Sequence, residues 1–222
     1  MNWKLPNQLT LARLALAIIF FAMLALYDAP SPRLLDACFV IYLIAGVTDV
    51  LDGYLARRWN ITSAFGRITD PFVDKVLVCG AYALLAGSNF TFAQSGGVGI
   101  PLWERNLPHW ITGEMASSMQ AWMVVVVVAR EFIVSGIRGY SESIGQKFPA
   151  TVWGKAKMLG QSVAICAVLL QQANFPHASW AVLVKLLAVW LSVIFTVVSG
   201  FAYVTQARRL FAVTDEEGSG GA

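Results

Sequence analysis

Six apolar runs, each near the ~20 residues that cross about 30 Å of hydrocarbon as a helix, divide the chain: Leu9–Tyr27, Leu34–Leu55, Phe72–Phe90, Met119–Ile137, Val152–Leu170 and Trp180–Val204. Turn chemistry separates them. Asp28–Arg33 reads DAPSPR, a tight Pro-rich turn, and Gln171–Ser179 reads QQANFPHAS, short and polar. Gly87–Met115 is a long Gly-, Pro- and Trp-bearing loop. Trp103, Trp110 and Trp180 fall near span ends, where indole rings favour the membrane interface. The first run lacks a small-residue cleavage site and leads into a second, so it is expected to be retained. The pattern predicts an all-α integral membrane protein of six transmembrane helices. It is read as a single domain over residues 1–210, with an acidic, Gly-rich and disordered tail at 211–222.

Composition agrees with a bilayer rather than a soluble fold. The chain is 57% hydrophobic and only 13% charged, with a mean hydropathy of +0.63, whereas soluble domains carry about 25% charge. A net charge of +3 gives no reason to expect nucleic acid as a partner. Cys38, Cys79 and Cys166 each lie inside an apolar run without metal-ligand spacing, which suits packing better than disulfides.

Lys and Arg set the orientation. With six spans, both termini share a side with the second-to-third and fourth-to-fifth connections, and that side collects thirteen of the sixteen cations. Arg33, Arg105 and Lys185 are left for the other side. Both termini are therefore expected in the cytoplasm.

Topology does not explain four aspartates on that cationic face. In TDVLDGYLARRWNITSAFGRITDPFVDK (Thr48–Lys75), Asp49 and Asp52 are three apart and Asp70 and Asp74 four apart, so each pair shares a helix face. Two antiparallel helices with a short polar link are expected to bring the pairs together, with Pro71 in a first helical turn. Asp70 before Pro71 also suits a helix cap, but four aspartates at these spacings are not expected to be only caps. Four close carboxylates repel unless divalent cations bridge them, and hard oxygen donors suit Mg²⁺, Mn²⁺ or Ca²⁺. Gly53 and Ala56 lack bulk beside Asp52, so a base or diphosphate can approach the backbone, and Arg57 offers phosphate a planar fork.

A second constellation joins VVAREFIVSGIRGY (Val127–Tyr140) to PATVWGKAKMLGQ (Pro149–Gln161). Arg130 and Arg138 are eight apart, about two turns, and so share a face; Lys155 and Lys157 open the next span. They form either a pocket for an acceptor that carries phosphate or a set of side chains snorkelling to headgroups. Glu131 is expected to point elsewhere on its helix.

The run Asp49-x₂-Asp52-Gly53-x₂-Ala56-Arg57-x₈-Gly66-x₃-Asp70-x₃-Asp74 resembles, at every fixed position, the signature of the CDP-alcohol phosphotransferase family. The six-span architecture is also similar to that family's, and the resemblance covers roughly Pro6 to Arg209. It implies two divalent ions, Mg²⁺ or Mn²⁺, held by Asp49, Asp52, Asp70 and Asp74. It also implies Asp74 as general base, CMP as leaving group, and Gly66 within the CDP-lipid site. Asp74 as ligand, base or both stays open. PNQLTLAR (Pro6–Arg13), AREFIVSGIR and GKAKMLGQ resemble the branch that joins CDP-diacylglycerol to sn-glycerol 3-phosphate, although Met158 stands where that branch has Thr. By the same resemblance Asn7 and Thr10 sit near the nucleotide, the alternative being an interfacial helix start with Thr10 as its cap; a homodimer is implied, and the setting is a bacterial inner membrane with the site facing the cytoplasm. Serine, inositol phosphate or phosphatidylglycerol are alternative acceptors. A divalent-cation transporter, or a homologue without activity, are readings of another class.

Overall fold

The computed structural model describes residues 5–27, 31–59, 64–87, 90, 119–145, 152–176 and 178–219; the side chains at 5–7, 9, 50, 52–57, 59, 64–71, 152 and 209–219 lie outside that description. Helices α1 (Leu5–Ala25), α2 (Pro32–Trp59), α3 (Ala64–Leu85), α4 (Ala121–Ser143), α5 (Val152–Asn174) and α6 (Ser179–Ser219) account for the regular structure, and no strand occurs among the described residues. The protein is all-α. Each helix has at least 21 residues, hence a length of about 30 Å or more at ~1.5 Å per residue.

Every predicted run falls mostly on a helix, with different ends. Helices α1 and α3 stop at Ala25 and Leu85, short of Tyr27 and Phe90, and α4 starts at Ala121, after Met119. Other helices outlast their runs because polar ends with good helix formers keep propagating. Helix α2 starts at Pro32, where a missing N–H costs nothing, and continues through Arg57 and Arg58 to Trp59. Helix α3 begins at Ala64, so Asp70 and Pro71 lie inside it and not in a first turn or at a cap. Gln171–Asn174 extends α5, leaving 175–178 as the connection; Gln171 Nε2 donates to the carbonyls of Phe175 and Pro176 at 3.3 and 3.4 Å. Helix α6 runs past Val204 to Ser219, into the stretch read as a tail. Of the loop Gly87–Met115 only Gly87 and Phe90 are described, Phe90 stacking on Tyr27 at 5.2 Å; Trp103 and Trp110 fall outside.

The helices pack as a closed ring in the order α1, α2, α5, α6, α4, α3, and α3 also touches α5 across the interior. Small residues permit the close approaches. A Cβ on Gly80 would come 2.5 Å from Phe21 Cζ at the α1–α3 contact, and one on Gly160 would come 3.2 Å from Phe195 Cδ2 at the α5–α6 contact. The core contains Phe20, Tyr42, Tyr82, Leu85, Ile165 and Leu169. Free Cys38 is buried there, with Cys79 and Cys166 half-buried, as packing residues should be.

Some polar groups are buried within this apolar core, and many bulky apolar side chains face outward. Tyr82 and Ser192 share a buried 2.7 Å hydrogen bond, and Gln161 Nε2 donates to Thr196 Oγ1 at 3.1 Å. Outward positions carry Ile18, Leu43, Val125, Phe132, Leu159 and Phe201, all exposed. Among the described residues one stretch, Ser179–Arg208, is both long and apolar enough to cross a membrane, with a mean hydropathy of 2.5; Thr10–Ala25 is a shorter apolar run.

Candidate active site

Asp49 stands ten residues before the end of α2 and Asp74 ten residues after the start of α3. Equal distances from the facing ends of α2 and α3 place the two at the same level. Helix α1 packs on both α2 and α3, and its Arg13 joins their carboxylates. Arg13 Nη1 lies 2.6 Å from Asp49 Oδ1 and 3.0 Å from Asp74 Oδ1. The guanidinium is fully buried, while the two carboxylates are 33% and 31% exposed. The expected direct meeting of the α2 and α3 pairs is thus, for the described members, a meeting on an arginine of α1. Thr10, one turn before Arg13, is buried beside it on α1. The side chains of Asn7, Asp52, Gly53, Ala56, Arg57, Gly66 and Asp70 lie outside the described residues; their backbones are helical.

From Asp74 a cavity of about 370 Å³ opens toward α4, α5 and α6. Its wall includes Asp74 and Lys75 from α3, Arg130, Glu131, Ser135 and Arg138 from α4, Lys155, Lys157 and Gln161 from α5, and Tyr203 from α6. All four cations singled out for an acceptor line this one space together with Asp74. Helical spacing accounts for the gathering: 130, 134 and 138 fall on one stripe of α4, and 154, 157, 158 and 161 on one stripe of α5.

Two expectations about the cations need correction. Glu131 does not point away. Its Oε1 accepts from Arg130 Nη1 at 3.1 Å and also pairs with Lys157 Nζ. All three residues are at least nine-tenths buried. Neighbours on a helix diverge by about 100°, but the long arginine side chain folds back across that angle. Lys157 consequently turns inward to Glu131 and does not snorkel. Lys155 is exposed at the cavity mouth.

Further residues complete the wall. Lys75 Nζ donates to Ser135 Oγ at 2.5 Å, and Ser135 donates to the Glu131 carbonyl. Arg130 Nε donates to Ser199 Oγ at 3.0 Å and Arg138 Nη2 to Tyr203 Oη at 2.8 Å. Arg138 Nε is buried without a hydrogen-bond partner among the described residues. Spacing alone marks none of Arg13, Lys75, Glu131, Ser199 or Tyr203, because each acts across helices. For Arg13 a signal existed: a charge inside an apolar run, even near its start, is costly unless paired.

Residues 3–198 match the family described as CDP-alcohol phosphatidyltransferase. The chain is 34% identical to the CDP-diacylglycerol–glycerol-3-phosphate 3-phosphatidyltransferase of Bacillus subtilis (strain 168), over 92% of this chain and 95% of that one. It is 28% identical to the protein of that name from Rickettsia bellii (strain RML369-C), over 94% and 97%. With the one from Haemophilus influenzae (strain ATCC 51907 / DSM 11121 / KW20 / Rd) it shares 30% identity over 94% and 95%. With its signature aspartates level on α2 and α3 and the family match running over most of its length, this chain belongs to the CDP-alcohol phosphatidyltransferase family.

Proposed function

We propose that this protein transfers the phosphatidyl group of CDP-diacylglycerol to sn-glycerol 3-phosphate, giving phosphatidylglycerophosphate and CMP. One observation carries the reading: a single cavity is bordered both by Asp74 of the family signature and by Arg130, Arg138, Lys155 and Lys157. A general base and a set of phosphate-binding cations in one space suit an acceptor with a hydroxyl at one end and a phosphate at the other. The names of the relatives from three bacteria agree with this acceptor.

Asp49, Asp52, Asp70 and Asp74 are the residues that would hold two divalent ions. The fit is chemical. Carboxylates are hard donors suited to Mg²⁺ or Mn²⁺, and Asp49 and Asp74 already converge on a shared positive charge at Arg13. Bound there, such ions supply charge neutralisation for the diphosphate and its leaving CMP. The chain's own residues do the rest. Asn7, Thr10, Gly53, Ala56, Arg57 and Gly66 receive the CDP-lipid. Arg130, Arg138, Lys155 and Lys157 grip the acceptor's phosphate and so aim its hydroxyl toward Asp74. The hydroxyl oxygen attacks the phosphorus that bears the diacylglycerol, and the bond from that phosphorus to CMP breaks with its electron pair leaving on CMP. The hydroxyl proton passes to an Asp74 carboxylate oxygen.

The same reading makes residues 1–210 one membrane domain of six spans, followed by a tail at 211–222 outside it. Two features support it: bulky apolar side chains on outward helix faces, and cations gathered on the side of both termini. Both termini and the active site then face the cytoplasm of a bacterial inner membrane, where substrate and product lipids reside. A homodimer follows from the family resemblance.

An acceptor without a phosphate monoester has less need for so many cations, which favours glycerol 3-phosphate over serine, which has no phosphate, and over phosphatidylglycerol, a lipid whose phosphodiester carries a single charge. The test is an acceptor panel. Purified protein is given CDP-diacylglycerol, Mg²⁺ or Mn²⁺, and each of glycerol 3-phosphate, inositol phosphate, serine and phosphatidylglycerol, and CMP is measured. Glycerol 3-phosphate should stand well above the others; equal or better release with another acceptor contradicts the assignment.

A further inference from the structure

Arg130 and Arg138 stand eight residues apart on α4, about 12 Å along its axis, yet their guanidinium carbons converge on one ring. Arg130 Cζ lies 5.4 Å and Arg138 Cζ 5.3 Å from the centroid of Tyr203. Tyr203 belongs to α6 and is buried, and its hydroxyl accepts from Arg138 Nη2 at 2.8 Å. One turn earlier Ser199 accepts from Arg130 Nε at 3.0 Å while donating to the Thr196 carbonyl, which fixes its own direction. Between them Gly200 leaves room for the arginine stem, since a Cβ there would stand 3.3 Å from Arg130 Cγ. One stripe of α6 therefore receives the side chains of both arginines.

Two like charges drawn together repel, and free arginines lose much side-chain freedom when they grip a ligand. An aromatic ring offsets both costs. Its negative face attracts each cation, and a guanidinium held over it keeps its N–H donors at the edge for a phosphate. We propose that Tyr203 is a positioning residue that preassembles Arg130 and Arg138 into a phosphate clamp, and so sets the preference for a phosphorylated acceptor. The proposal rests on the reading of this cavity as the acceptor site.

Steady-state kinetics of wild type, Tyr203→Phe and Tyr203→Leu test it, with glycerol 3-phosphate and CDP-diacylglycerol varied separately. Losing the ring should raise the KM for glycerol 3-phosphate about tenfold or more, and losing the hydroxyl alone about threefold. The KM for CDP-diacylglycerol and kcat at saturation should move much less. The preference for glycerol 3-phosphate over glycerol should narrow in the same order. A KM for glycerol 3-phosphate that stays at the wild-type value in both variants overturns the proposal. So does a parallel decline of both KM values and kcat, which marks a packing role. If Tyr203→Leu does not fold, Tyr203→Met, unbranched and closer in length but also without a ring, takes its place with the same expected and overturning results. Failure of the acceptor reading looks different: wild type itself then neither turns over glycerol 3-phosphate nor gains thermal stability from it, and the proposal goes with that reading.

Discussion

Arg13 donates through Nη1 to Asp74 Oδ1 at 3.0 Å, across sixty-one residues of sequence, and the same nitrogen lies 2.6 Å from Asp49 Oδ1. A fully buried cation thus stands between two carboxylates of the family signature, one from each flanking helix. Arg13 neutralises charge that divalent ions would also neutralise. Arg13→Gln should therefore lower the melting temperature in metal-free detergent solution, by an amount corresponding to about 1–3 kcal/mol for a lost charged hydrogen bond. Added Mg²⁺ or Mn²⁺ should then raise the melting temperature of the variant more than that of wild type. An equal metal-induced rise in both proteins would contradict this role.

Glu131 gives the second prediction. Removing one partner of a buried ion group leaves uncompensated charge, at a cost of about 3–5 kcal/mol. Glu131→Gln should destabilise the protein by that order, because Arg130 and Lys157 both lose their carboxylate. Adding Lys157→Met removes one of the two stranded cations, so the double variant should melt above Glu131→Gln alone. Thermal unfolding of the four corners of the mutant cycle measures the coupling. Additive effects would mean that the pair is not coupled in solution.

How much of this was legible in the sequence differs from element to element. The six helices were, because long apolar runs separated by turn residues leave little else to form. Their ends were less so: Arg57–Trp59 and Gln171–Asn174 look like links, yet they continue helices that packing has already nucleated. The α6 end moved furthest, from Val204 to Ser219, and the α3 start moved from Asp70–Pro71 back to Ala64. Arg130 and Arg138 could be paired by spacing because both lie on one helix. Glu131 could not, since a one-residue step normally separates directions and only a long arginine closes the gap. Tyr203 acts across sixty-five residues to Arg138, and Arg13 across thirty-six to Asp49 and sixty-one to Asp74; no periodicity within one helix reports such distances.

Gly80 tests the packing that places Arg13. A Cβ there would stand 2.5 Å from Phe21 Cζ, with Cε1 at 2.7 Å, so α1 and α3 must separate or the ring must swing. Gly80→Val should cost about 1–3 kcal/mol through overpacking. It should lower activity as well, by shifting Arg13 relative to Asp74. Pairing it with Phe21→Ala should restore much of the stability, read as melting temperature. No recovery in the double variant would place the strain elsewhere.

Metal removal tests the aspartate site. Exhaustive chelation should abolish CMP release, and Mg²⁺ or Mn²⁺ should restore it, because the proposed site neutralises a diphosphate with divalent charge. Asp49→Asn should need much higher metal concentrations for half-maximal activity. Full activity after chelation would remove the metals from the account.

The most direct measurement follows both products of one reaction. Purified protein with CDP-diacylglycerol, glycerol 3-phosphate and Mg²⁺ or Mn²⁺ should release CMP and form phosphatidylglycerophosphate in equal amounts, with Asp74→Asn reduced by about 10²-fold or more. CMP release no greater than that of Asp74→Asn, or CMP released without phosphatidylglycerophosphate, would contradict the account.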